Sequence, residues 1–115
     1  NITDDMDIAE EEIFGPLTFI KPYKDVSDVI QYIRKNPSPL ALYLFSEDEQ
    51  LQQYVLQNTA SGGVTINDLL MHNVHPELPF GGVNNSGIGK FHGKHGFKTF
   101  SNNRGVYTVV DTKNN

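Results

Sequence analysis

The sequence predicts an α/β fold: a partial parallel sheet with flanking helices, and one further strand toward the C-terminal end. Three observations carry this. Short apolar, β-rich runs at Leu17-Thr18-Phe19-Ile20, Leu40-Ala41-Leu42-Tyr43-Leu44-Phe45 and Val64-Thr65-Ile66 alternate with two segments of helical period. The middle run is almost continuously apolar, as a strand covered on both faces is. The spacing between the runs leaves room for a helical crossover, which a parallel pair requires.

Residues 1–16 show no clear period and end in the break Gly15-Pro16. Their acids, Asp4-Asp5-Met6-Asp7 and Glu10-Glu11-Glu12, read as a solvated terminus. Leu17–Ile20 reads as a buried first strand, closed by Pro22. Asp25 can cap the next helix, in which Val26, Val29, Ile30 and Ile33 form one apolar stripe. Asp28 in its first turn and Arg34 and Lys35 in its last suit the helix dipole. Asn36-Pro37-Ser38-Pro39 stops it.

After the strand Leu40–Phe45, Ser46-Glu47-Asp48-Glu49 has the form of a capping box with Ser46 as N-cap. Leu51, Tyr54 and Val55 give the helix that follows its apolar face, and Ser61-Gly62-Gly63 breaks it before the third strand. Residues 67–90 are loop-like. A short helix is expected over His92 to Phe100, opposed by Gly93 and Gly96. Val106-Tyr107-Thr108-Val109-Val110 is a final strand with no helix after it. The sum is a βαβαβ unit with two helices on one face of its sheet. The other face is bare unless a partner covers it, so the chain reads as part of a larger domain.

The chain has 115 residues, enough for one modest domain. No apolar run approaches the roughly 20 residues of a membrane span, so no membrane segment is expected in this chain. No secretory leader is visible, though a fragment would lack its parent's leader anyway; the parent is expected in the cytoplasm. Nine Lys+Arg against fourteen Asp+Glu give a net charge of -5, which disfavours nucleic acid as a partner. There is no cysteine, which excludes disulfides, Cys-ligated zinc and a cysteine nucleophile within this chain.

The run Gly81-Gly82-Val83-Asn84-Asn85-Ser86-Gly87-Ile88-Gly89-Lys90 invites a phosphate-loop reading and fails it. Asn84 stands where the first glycine of that pattern is needed, and Phe91 follows Lys90 instead of Ser or Thr. The glycines instead fit positive φ and close backbone approach in a tight loop, with Asn84 and Asn85 as the next best left-handed residues. His72, His75, His92 and His95 lack the further ligands of a metal site and read as hydrogen-bonding surface or loop histidines, so no metal is expected. Ser86 lacks the Gly-x-Ser-x-Gly elbow of a serine hydrolase.

Five pieces in order change the weight of these readings. Glu11-Glu12-Ile13-Phe14-Gly15-Pro16 resembles the glutamate-containing cofactor motif of the aldehyde dehydrogenase superfamily. Pro39–Ser46 is similar to the strand and cap that follow it in class 3-like members, and Ser61–Asp68 to the next strand and turn. Leu78-Pro79-Phe80-Gly81-Gly82-Val83 with Asn85–Gly89 resembles the loop near the active site. His92-Gly93-Lys94, Gly96-Phe97 and Thr99-Phe100-Ser101 resemble the coniferyl-aldehyde and fatty-aldehyde branch. Asn84, where that branch often has glycine, departs from the pattern.

The resemblance implies a fold and roles. Residues 1–100 would be the C-terminal portion of an aldehyde dehydrogenase catalytic domain, and 101–115 an oligomerisation strand and tail that bridges to a neighbouring subunit of a homodimer. In such enzymes a cysteine thiolate attacks the aldehyde, hydride passes to NAD or NADP, and a glutamate-activated water releases the acid. Glu12 would accept hydrogen bonds from the nicotinamide ribose hydroxyls, since a carboxylate offers two acceptor oxygens to a diol. Phe14 would pack beside the nicotinamide. Phe80 would line the inner substrate tunnel. Asn67 and His72 would lie toward the substrate entrance.

No catalytic residue is expected in this chain, because the nucleophile, the base and the dinucleotide-binding domain belong to sequence upstream of these motifs. The chain, which opens without Met, thus reads as a piece of a longer polypeptide. The aldehyde would be aromatic, such as coniferyl aldehyde, or long-chain aliphatic. The alternative is a non-catalytic binding or assembly module derived from the same fold.

Overall fold

A computed structural model describes residues 2–110. Its centre is one β-α-β unit. Strand β1 (Ala41–Leu44) pairs in parallel with β2 (Gly63–Ile66), with Tyr43 opposite Thr65. The crossover is a helix, Glu49–Asn58. Counting helices in chain order, α1 is Asp7–Glu10, α2 is Val26–Lys35, α3 is this crossover, α4 is Met71–Val74 and α5 is Gly93–Thr99. A 3-10 turn spans Asn84–Ser86. The α/β class, the parallel pairing and the short helix after His92 stand as the sequence predicts.

Local chemistry sets the helix boundaries. Asp25 caps α2 by accepting a hydrogen bond from the Ser27 backbone N–H at 2.7 Å. That bond, with help from the Ser27 hydroxyl, holds the Asp25 carboxyl below its ordinary range. The apolar stripe of α2 centres on Ile30, one of two buried apolar side chains; the other is Val55 of α3. At the exposed N-terminal side, Lys21 pairs with Asp4, and the bond to that carboxylate holds the ammonium pKa above its usual value.

Three expectations need correction. Leu17–Ile20 is not a strand: it forms no ladder, and Leu17 and Ile20 are 71% and 87% exposed. An apolar run becomes a strand only against a neighbour that takes its backbone hydrogen bonds, and the described residues supply none here. The sheet therefore has two strands, not three. Second, Ser46 is not the cap of α3. Asp48 is, accepting from the N–H groups of Gln50 and Leu51 at 2.9 and 3.2 Å. Ser46 sits two residues back, its hydroxyl accepting from the Asp48 N–H at 3.1 Å. Third, β1 is not covered on both faces; Tyr43 and Phe45 are exposed.

Val106–Val110 pairs with neither β1 nor β2, and Val106, Tyr107, Val109 and Val110 are all exposed. It is not an edge strand of this sheet. No helix among the described residues is long and apolar enough to cross a membrane.

Candidate functional site

The loop that follows β2 is built back onto the sheet. Phe80 and Phe91 form an antiparallel bridge, each N–H donating to the other's carbonyl at 3.0 and 2.9 Å. Between them the chain folds so tightly that a Cβ on Gly82 would lie 2.1 Å from the Ser86 backbone, so only glycine fits. Asn84 takes the left-handed conformation at φ 55°, as its residue type predicts, while Asn85 does not. The Ser86 hydroxyl accepts from the Val83 N–H and donates to the Val83 carbonyl, both at 2.9 Å.

Lys90 secures this loop. Its ammonium donates to the Gly62 carbonyl at 2.8 Å and to the Gly81 carbonyl, linking the start of β2 to the segment after Phe80. The failed phosphate-loop pattern thus has a positive explanation: the lysine is committed to backbone carbonyls.

Phe80 lies in an aromatic cluster. Its ring centroid is 5.9 Å from His72, 5.5 Å from Phe91 edge-on and 6.0 Å from His92 stacked, all within the range of favourable aromatic contact. His72 is buried, contrary to its expected place as a surface or loop histidine, because Thr65 of β2 offers it a polar partner at 2.7 Å. The Nδ1 atom of His92 is buried without a hydrogen-bond partner among the described residues.

Asn67 stands at the C-terminal end of β2 with φ 58°. Its side-chain oxygen accepts from the Ser46 N–H at 2.8 Å and its amide donates to the Ser46 carbonyl at 2.9 Å. Both polar atoms of the Asn67 side chain are therefore used to tie together the turns after β1 and β2. Ligands of open α/β sheets bind outside these carboxyl ends.

Glu12 and Phe14 lie on the exposed segment after α1. Glu12 lines an open groove together with Tyr32, Ile33, Asn36 and, from the glycine-rich loop, Asn85 and Ser86. Phe14 is 91% exposed and has φ 49°, a left-handed backbone that costs a side-chain-bearing residue about 1–2 kcal/mol. No hydrogen bond or aromatic contact among the described residues joins Phe80 to Glu12 or Phe14. Among those residues, no three His, Asp or Glu side chains come together as a metal site.

Sequence reasoning missed Thr65 and Lys90. Alternation along β2 puts Gly63 and Thr65 on one face, and a histidine seven residues on from Thr65 was the available signal for the first. The carbonyl partners of Lys90 are 28 and 9 residues away, which no local pattern reveals.

A parallel β-α-β unit, with a tight glycine loop carrying an aromatic ring onto its sheet, defines the class as α/β. The aldehyde dehydrogenase family profile matches residues 1–106, and the chain belongs to that family. It is 48% identical over 104 residues to the 4,4'-diaponeurosporen-aldehyde dehydrogenase of Staphylococcus aureus, covering 90% of this chain and 23% of that protein. To the coniferyl aldehyde dehydrogenase of a Pseudomonas species it is 46% identical over 106 residues, covering 92% of this chain and 22% of the relative. The solved substrate-bound AldH of Staphylococcus aureus superposes with a TM-score of 0.82 at 44% identity, over 96% of this chain and 26% of that one. The chain thus spans about a quarter of the length of the curated relatives it matches.

Proposed function

We propose that this chain is the nicotinamide-positioning and substrate-lining part of an NAD- or NADP-dependent aldehyde dehydrogenase. Its parent oxidises an aromatic aldehyde such as coniferyl aldehyde, or a long-chain aliphatic one, to the carboxylic acid. The observation that carries this reading is Phe14. A large aromatic ring stands in solvent on a strained backbone, two residues from a carboxylate, and no hydrogen bond or aromatic contact among the described residues uses either group. Strain of this kind is kept where a bound molecule gives the residue its function.

The residues fit a nicotinamide riboside end. The Glu12 carboxylate can accept from both hydroxyls of a ribose, and the Phe14 ring can close over a flat heterocycle. Bound NAD(P) would supply the hydride acceptor. Phe80 would then exclude water from the aldehyde side, with its backbone held by the bridge to Phe91.

The sequence holds no cysteine, so the nucleophile comes from elsewhere in the parent. We assign the parent to a homodimer and Val106–Val110 to that contact, an exposed apolar, β-rich segment that pairs with neither β1 nor β2. We also assign residues 1–100 to the catalytic domain, 101–115 to the oligomerisation strand and tail, and the parent to the cytoplasm, which fractionation of cells expressing it checks.

The decisive experiment follows reduced nicotinamide spectroscopically with coniferyl aldehyde and with long-chain aliphatic aldehydes. The parent is expected to turn over and the isolated chain to show no activity. Glu12→Gln in the parent is expected to raise the KM for NAD(P) by about tenfold, the effect of losing one charge-assisted hydrogen bond. Absence of aldehyde-dependent reduction by the parent overturns the reading, as does turnover by the isolated chain.

A further inference from the structure

We propose that His72 is a positioning residue for Phe80, locked by Thr65 and Gly63, and that this lock sets how well the site takes wide aldehydes. The proposal rests on the reading of Phe80 as a substrate-lining residue.

The lock is assembled from one sheet face. Residues 63 and 65 of β2 share a face because strand side chains alternate, and Tyr43 joins them as the cross-strand partner of Thr65. Helix α4 turns His72 back over that face. Leu70, with φ 61°, makes the turn possible. The imidazole occupies the space a side chain at Gly63 would need: a Cβ there would stand 2.5 Å from His72 Cδ2. Tyr43 flanks the imidazole at 5.7 Å, and Phe80 lies against it at 5.9 Å with 31° between the ring planes. Phe80 therefore rests on the sheet through His72.

The polar part is specific. Thr65 and His72 are both 6% exposed. The Thr65 hydroxyl oxygen accepts from the His72 backbone N–H at 3.1 Å and lies 2.7 Å from His72 Nδ1. A hydroxyl carries one proton, and burial without an acceptor would cost that proton its hydrogen bond. No other acceptor is in reach among the described hydrogen bonds, so the proton goes to Nδ1. This bond fixes the ring plane that Phe80 meets. Phenylalanine at position 72 would keep the stacking and strand the Thr65 proton. Asparagine would take the proton and leave Phe80 without support.

The test uses the parent with Thr65→Val, which keeps the shape and removes the hydroxyl, and Thr65→Ser, which keeps the hydroxyl. Fluorophenylalanine at position 80 reports the mobility of that ring by NMR, and thermal unfolding confirms that each variant is folded. Losing a hydrogen bond of ordinary net strength changes an equilibrium by roughly 2- to 10-fold. Thr65→Val is expected to raise the KM for an aromatic aldehyde by about that factor. The KM for a short aliphatic aldehyde and for NAD(P) should stay within about twofold, and the Phe80 signal should show a mobile ring. Thr65→Ser should behave as the unaltered protein.

An unchanged Phe80 signal in Thr65→Val overturns the proposal, and so does a Thr65→Ser variant as impaired as Thr65→Val. A mobile ring with equal KM changes for wide and narrow aldehydes overturns the specificity role. A parent that turns over no aldehyde, yet frees Phe80 on Thr65→Val, overturns the functional reading of Phe80 and leaves the lock in place.

Discussion

Lys90 joins two stretches of backbone that would otherwise present bare carbonyls to each other. Three ammonium protons suit such a junction, because each can be given to a separate oxygen. Replacing Lys90 with methionine keeps an unbranched side chain, one atom shorter, and removes the ammonium protons. Lys90→Met is expected to destabilise the parent by about 2 kcal/mol, the usual worth of a hydrogen bond to a charged group. Urea unfolding measures this. Stability unchanged to within about 0.5 kcal/mol would show that solvent replaces the lysine at both carbonyls. The candidate residues divide at this scale by what made them visible. Glu12, Phe14 and Phe80 were legible because each sits in a compact run whose neighbours repeat the same family pattern. Thr65 and Lys90 were not, and for His72 the burial was not, because these contacts exist only once β2, α4 and the glycine-rich loop are folded together.

The elements show the same division between local and distant causes. Helices α2 and α3 and strands β1 and β2 were legible, since periodicity, caps and stop signals all lie within a few residues of each element. Leu17–Ile20 has the local composition of a strand and lacks a neighbour, and the neighbour decides. The cap of α3 turned on a shift of two residues, because an aspartate is as good a cap as a serine and Asp48 stands immediately before Glu49. Asp48→Ala is expected to cost about 1 kcal/mol in stability. Ser46→Ala should cost less, and the reverse order in chemical denaturation would return the cap to Ser46. A pH dependence belongs to α2. The Asp25 carboxyl titrates below its ordinary range in the folded chain because the Ser27 N–H binds its charged form. Its cap is therefore fully present above the ordinary aspartate pKa, and is lost as pH falls through the lowered value. Asp25→Asn, which caps without titrating, should remove that part of the acid transition. Helical circular dichroism that falls identically in both proteins would assign the transition to other groups.

The whole chain leaves most of its apolar surface unsatisfied. It measures 81 × 32 × 28 Å with a radius of gyration of 20.7 Å, where a compact domain of about 100 residues has roughly 13 Å. Among the described residues only Ile30 and Val55 are buried apolar side chains, while Leu17, Ile20, Phe97, Phe100 and Tyr107 stand in solvent. Apolar surface on this scale marks contacts to be made, and on a single unit it has two outlets. In the parent, the remaining three-quarters of a family-length polypeptide would cover it. In isolation, the chain has only copies of itself. The short strands have free edges, and Val106–Val110 is an exposed apolar, β-rich segment with no strand partner among the described residues. The isolated chain is therefore expected to self-associate. Sedimentation should give a weight-average mass that rises with concentration, and removal of residues 101–115 should reduce the association without abolishing it, since the sheet and the Leu17–Ile20 segment remain. A single monomeric species up to high concentration would mean that these surfaces close over one another in solution, and the view of the chain as one portion of a larger domain would fail with it.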